Sequence, residues 1–229
     1  MINWNEMPLA AFDLETTGPD PIMARIVTAC LIRIDGSDVA PLNWIVDPEI
    51  EIPEGATAVH GVTTERARAE GAPYADGYEQ IRTELERIWL EGRVLAIYNA
   101  SFDLTLIDQE GRRLGYPPLD YGPVIDPYVV DRAIDKYRKG KRTLAVTCQH
   151  YGITLENAHA ADADALAAAR LAWVLANKNP GLSKMGVEEL MTQQADWHRT
   201  RQLDYIEYLE RDGGDTSGVN IDWPLRGVA

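Results

Sequence analysis

The sequence predicts an α/β protein: a mixed sheet of about five strands flanked by helices, with a helical extension beyond it. Three observations carry this. Strand-type segments come first and are joined by tight turns, which makes that end of the sheet antiparallel. Short apolar strands then alternate with helical segments, the pattern of strands covered by helices. A break at Asn179–Pro180–Gly181 precedes one more long helical stretch.

Leu9 to Glu15 is apolar and alternating, and Thr16–Thr17–Gly18–Pro19 ends it as a strand. Arg25 to Ile34 is rich in β-branched residues and reads as the second strand. Gly36–Ser37–Asp38 is a turn, so Leu42 to Val46 returns as the third strand of a hairpin. Pro53 to Thr64 reads as a loop of small residues. Tyr78 to Leu90 has helical spacing, with Ile81, Leu85, Ile88 and Trp89 on one side. Val94 to Tyr98 is a short apolar strand. Phe102 to Leu114 is helical and stops at Gly115, with Pro117–Pro118 beyond. Val124–Ile125 is a fifth short strand. Helices are expected at Pro127–Asp135, Thr143–Tyr151, Asp162–Asn177 and Val187–Leu209. Arg211 to Ala229 reads as a loose tail anchored by Trp223.

Composition bounds the function. The chain has 229 residues, 45% of them hydrophobic and 25% charged, the balance of a globular protein with one domain or one domain plus an appendage. We divide it into a domain over residues 1–180 and a helical extension and tail over residues 181–229. The net charge of −14 argues against a protein that tracks nucleic acid with a basic surface. It allows a nucleic-acid enzyme whose carboxylates hold metal. No apolar run reaches membrane-spanning length, and Met1 to Glu6 has no signal-peptide character, so the expectation is no membrane partner and a cytoplasmic location. Cys30 and Cys148 lie in apolar surroundings with no metal or redox spacing, and are expected as free buried thiols.

The carboxylates fall at the ends of elements. Asp13 and Glu15 are two apart on a strand and share one face, about 7 Å apart. They are either a solvated strand end or a pair that needs a cation between them. Asp103 falls in the first turn of a helix, where a carboxylate is also a routine cap. It heads a stripe continued by Leu106 and Ile107, a costly place for a charge without a partner. Asp164 starts the apolar stripe Ala168, Leu171, Leu175, whereas Asp162 points elsewhere and reads as a cap or surface residue. His159 belongs to the loop before that helix, either as a plain loop residue or as a proton acceptor near a substrate. Carboxylate oxygens of this kind suit Mg²⁺ or Mn²⁺ rather than zinc. Lys136, Arg138, Lys139, Lys141 and Arg142 form a basic run that is either a phosphate contact or a solvated loop.

Taken together, Asp13-x-Glu15-Thr16-Thr17-Gly18, Asn99-x-x-Phe102-Asp103 and His159-x-Ala161-x-x-Asp164-Ala165 resemble the three motifs of the DEDD superfamily of 3′–5′ exonucleases, in order. The histidine of the third motif resembles the branch that carries His there. That branch includes the epsilon proofreading subunit of bacterial DNA polymerase III and stand-alone exonucleases similar to it. Val59–His60–Gly61–Val62–Thr63 is similar to that group's His-Gly-Ile-Thr segment. The resemblance covers about Leu9 to Leu175.

It implies a ribonuclease-H-like fold and removal of nucleotides from 3′ ends by a two-metal mechanism. Asp13, Glu15 and Asp164 would hold the first divalent ion, Mg²⁺ or Mn²⁺, and Asp13 would also touch the second. Asp103 would act through water, and His159 would accept a proton from the attacking water. Thr16, His60, Asn99 and Phe102 would line the pocket of the terminal nucleotide, with Phe102 stacking on its base. The implied partner is a nucleic-acid 3′ end, DNA favoured over RNA, with a DNA polymerase as a further partner. An exoribonuclease and a non-catalytic 3′-end-binding or polymerase-associated module are the alternatives.

Overall fold

The computed structural model describes residues 2–155 and 160–227. Five strands form one mixed sheet in the order β3-β2-β1-β4-β5. They are β1 (Leu9–Thr16), β2 (Ile26–Asp35), β3 (Asp38–Ile45), β4 (Val94–Ala96) and β5 (Val124–Ile125). β1, β2 and β3 pair antiparallel, and β4 and β5 run parallel to β1. The helices are α1 (Glu54–His60), α2 (Thr64–Glu70), α3 (Tyr74–Leu90), α4 (Ala100–Arg113), α5 (Pro127–Ile134), α6 (Leu144–Tyr151), α7 (Ala161–Lys178), α8 (Pro180–Ser183) and α9 (Val187–Asp212). No described helix is long and apolar enough to cross a membrane.

The strand alternation of β1 divides the core. Ala10, Phe12 and Leu14 face one side and pack with Tyr78, Ile81 and Leu85 of α3 and Leu104 and Ile107 of α4. Ala11 faces the other side and packs with Ala165, Ala169, Ala172 and Leu175 of α7. By the same period of two, Asp13 and Glu15 fall on the α7 side. The α7 face is mostly alanine, and a side chain that ends at Cβ lets the helix approach the sheet closely. α9 returns over β5 and buries Leu190 and Gln194, with Gln194 Nε2 donating to the Val124 carbonyl at 2.9 Å.

Two expectations are corrected and a third is refined. Residues 53–64 are not a loop. Pro53 precedes α1, left-handed Gly61 (φ 74°) closes it, and the Thr63 hydroxyl accepts the Arg66 N–H to start α2. α1 buries no side chain, so it has no apolar period to detect in the sequence. The segment after α9 is not loose. Trp223 and Pro224 are buried, and Asp222 pairs with Arg199 at 3.1 Å. The basic run is divided, with Lys139 and Lys141 exposed and its other members drawn into ion pairs. Arg138 and Arg142 both clamp the buried carboxylate of Asp131, at 2.5 and 2.6 Å, and Lys136 pairs with Asp204 at 3.1 Å. A buried carboxylate left alone would be costly, so those guanidiniums are committed to the fold. Cys30 and Cys148 are free and buried, as expected.

Candidate active site

The C-terminal end of β1 carries Asp13 and Glu15 toward the first turn of α7, where Asp164 sits. Carboxylate oxygens of Asp13, Glu15 and Asp164 lie within 4.8 Å of one another. Burial drives the pKa of Asp13 well above the ordinary value, and the charges of Asp103, Asp164 and Glu15 add to it. Burial and the charge of Asp164 push Glu15 up to about 7. Three carboxylates gathered this closely, with the ionisation of Asp13 and Glu15 disfavoured, could hold a cation. The donors are all hard carboxylate oxygens, which fits Mg²⁺ or Mn²⁺.

Asp103 stands apart from that trio. It rises from α4, on the other side of β1, and reaches the strand end, where its Oδ1 accepts the Leu14 N–H at 3.1 Å. Burial raises its pKa well above the ordinary value, while this backbone N–H holds it back. It is close enough to Asp13 to disfavour that carboxylate's charge, yet one of its oxygens is occupied by the chain. His159 lies outside the described residues.

Beside the acids opens a pocket of about 500 Å³. Leu14, Pro19, Val59 and Phe102 give it apolar walls, and Glu15, Thr16 and His60 reach it from the acidic side. The Thr16 hydroxyl donates to the Gly18 carbonyl at 2.8 Å and fixes the turn after β1. His60 Nδ1 accepts the Val62 N–H at 3.1 Å, which puts the proton of the neutral ring on Nε2. Burial lowers the pKa of His60, which favours its neutral form. Asn99 does not line this pocket. It adopts a left-handed conformation (φ 66°) just before α4 and faces a separate polar groove on the far side of that helix turn.

One residue that organises the site was not singled out in the sequence. Asp126, 1% exposed, accepts the N–H groups of Asn99 and Ala100 (both 2.9 Å), of Tyr128 (3.0 Å) and of Trp223 Nε1 (3.2 Å). It thereby ties the start of α4, which carries Phe102 and Asp103, to the start of α5 and to the segment after α9. The signal was present: an Asp directly before Pro127 at a helix start is a cap signature. The cap was legible there, and the other donors were not.

A family model for exonucleases (RNase_T) matches residues 10–172. The PolC-type DNA polymerase III of Oceanobacillus iheyensis is 25% identical over 177 residues, which cover 77% of this chain and 12% of that protein. The PolC-type enzyme of Clostridium perfringens is 30% identical over 161 residues, covering 70% of this chain and 10% of that protein. The chain thus spans about a tenth of the length of these curated relatives. Among solved structures, E. coli exonuclease I in complex with a dT13 oligonucleotide superposes with a TM-score of 0.64 at 22% identity, over 77% of this chain and 42% of that one. An ExoI/SSB-Ct complex gives 0.66 at 21% identity, over 89% and 46%. At these identities the structural likeness establishes the shared fold.

Proposed function

Since the chain belongs to the DEDD exonuclease family, whose model spans residues 10–172, we propose that it hydrolyses the terminal phosphodiester of single-stranded or frayed DNA from the 3′ end and releases nucleoside 5′-monophosphates. The observation that carries this reading is the convergence of Asp13, Glu15 and Asp164 within 4.8 Å beside an apolar pocket of about 500 Å³, which we assign to the terminal nucleotide. Asp13, Glu15 and Asp164 would hold the divalent ions, Mg²⁺ or Mn²⁺. Such ions supply charge neutralisation at the phosphate and a more acidic water.

The chain's own residues do the rest. Phe102 offers its ring to the terminal base, a contact tolerant of base identity. Thr16 and His60 bound the sugar side of the pocket. Asp103 holds the end of β1 through Leu14 and aligns Asp13. We assign His159 as the base that takes the proton from the attacking water, as the resemblance of its motif to the histidine branch and the epsilon proofreading subunit implies. With an ordinary pKa of about 6.5, an imidazole can accept that proton at neutral pH. Residues 1–180 carry the chemistry in this reading, and 181–229 extend it.

DNA is favoured over RNA because the structural relatives bind dT13 and dA16 oligonucleotides. A polymerase partner is a second reading, favoured by the PolC-type relatives. The test is digestion of matched 3′- and 5′-labelled single-stranded DNA and RNA with Mg²⁺ or Mn²⁺, for the native protein and Asp13→Ala. Stepwise shortening from the 3′ end, lost with EDTA and with the substitution, is expected, with DNA the better substrate. Tight binding of 3′ ends without cleavage would instead make the protein a binding module.

A further inference from the structure

The polar groove that takes Asn99 lies across the first turn of α4 from the nucleotide pocket. Phe102 lines the pocket, whereas its neighbour Ser101 lines the groove together with Asn99. The groove encloses about 240 Å³, and its other walls are Tyr128 of α5, His198 and Gln202 of α9, and Asn220 and Arg226 of the segment after α9.

That segment is fixed in place. His198 Nε2 and Gln202 Nε2 meet the Asn220 carbonyl at 3.1 and 3.0 Å. Trp223 is buried and donates to Asp126. The Arg226 N–H donates to Thr105 Oγ1 at 2.9 Å, two residues beyond Asp103 in α4. The backbone of Arg226 is therefore pinned beside the acidic site. Burial lowers the pKa of its guanidinium, and the carboxylates of Asp20 and Asp103 counteract this from a distance.

Most arginines of this acidic chain hold a carboxylate within 4.0 Å. Arg226 has no carboxylate within that distance and no side-chain hydrogen bond among the described residues. Four other arginines lack a carboxylate at that distance among the described residues; Arg68 and Arg170 are exposed, whereas Arg132 and Arg201 are half-buried. Both line the crevice that continues the groove past Tyr128, His198 and Gln202. Arg132 donates to Tyr128 Oη and lies over its ring, and Arg201 lies over the Tyr205 ring. A chain with 36 acids and 22 basic side chains could have paired these three. Half-buried guanidiniums without an anion are unfavourable, and their planar forks match phosphate oxygens.

We propose that this groove is a phosphate-binding site for the nucleic-acid strand, holding the backbone 5′ to the terminal nucleotide, with Arg226 as its principal cation and Arg201 and Arg132 next along it. The inference rests on the exonuclease reading. A strand whose last nucleotide fills the apolar pocket crosses the first turn of α4 and meets Asn99, Ser101 and Arg226 in turn. It gives residues 181–229 a role in substrate binding and explains how an acidic protein holds DNA.

The test uses the full chain with Mg²⁺ and two substrates. One is an oligothymidylate. The other is the p-nitrophenyl ester of thymidine 5′-monophosphate, which has the terminal nucleotide and no phosphate upstream. For Arg226→Met, the ratio of kcat/KM on the oligonucleotide to that on the ester is expected to fall about tenfold, mainly through KM, as for a lost charged contact. Arg226→Lys should recover part of it. The dependence of log KM on log salt should become shallower by about 1. Parallel loss on both substrates, or an unchanged ratio, overturns the proposal. If the native protein cleaves neither substrate, the exonuclease reading has failed. Anisotropy of a labelled oligothymidylate in EDTA then decides the groove alone: binding about tenfold weaker in Arg226→Met supports it, and equal binding overturns it. Should the Arg226 variants fail to fold, Arg201→Met carries the same comparison, with about a threefold change expected and an unchanged ratio overturning the proposal.

Discussion

Replacing Asp126 by alanine tests how the site is held. The carboxylate accepts N–H groups from Asn99, Ala100, Tyr128 and Trp223, all between 2.9 and 3.2 Å. Asp126→Ala leaves the Asn99 and Ala100 donors inside the protein without an acceptor, at about 1–3 kcal/mol each. Loss of the α5 cap adds about 1 kcal/mol. Part of this is recovered, because the carboxylate is itself poorly solvated there and burial pushes its pKa up to about 6 against the pull of its donors. The net expectation is a loss of about 3 kcal/mol, a large fraction of a typical domain's stability of about 5–15 kcal/mol. For a chain of this length that lowers Tm by roughly 6–12 °C. Urea unfolding in EDTA at neutral pH measures it as a shifted midpoint with an unchanged slope. Asp126→Asn keeps one acceptor oxygen and turns an NH₂ toward a donor, so its loss should be of similar sign and smaller. A loss below about 1 kcal/mol for the alanine variant would refute the reasoning, since the N–H groups would then have found water without difficulty.

The remaining predictions concern the acids and the pocket. Asp13→Asn removes a charge that burial and three neighbouring carboxylates disfavour; its metal-free Tm should rise by about 2–6 °C, while stabilisation by Mg²⁺ in a thermal melt should disappear. The pKa of Glu15 is raised from 4.5 to about 7, so between those values the folded protein holds a proton that the unfolded chain has released. The stability of the metal-free protein should therefore fall as pH rises through that window and level off above it; Tm measured against pH, with EDTA and with Mg²⁺, would show the ion removing the slope. Phe102→Ala should raise KM for an oligonucleotide about tenfold, the scale of one lost base–aromatic stack, and steady-state kinetics with kcat little changed would check it.

Three features of the structure leave no trace in local sequence. α1 lies on the surface with no buried side chain, and a helix without an apolar stripe leaves no period to find in the sequence. Arg138 and Arg142 were legible as charges and illegible as partners of Asp131, because the pairing depends on how α5 and the following loop fold together. Asn99 stands three positions before Phe102 in the sequence, which suggests a shared pocket. The left-handed backbone at Asn99 instead turns it to the opposite side of the helix start.

The sequence alone determined what backbone periodicity dictates. A strand has a period of two, so Asp13 and Glu15 had to share a face wherever the strand went. A helix has a period of 3.6, so Asp164 had to begin the stripe that faces the core. The tertiary structure decided which face met which. α7 covers the Asp13 side of β1 and α4 the other, so Asp164 joins the trio within 4.8 Å while Asp103 reaches only the strand end through Leu14. It also brought Arg226 beside α4 and drew the segment after α9 onto Asp126. Such contacts join residues far apart in the chain. Their energies come from burial and from the pairing of buried polar groups, neither of which exists until the layers have closed.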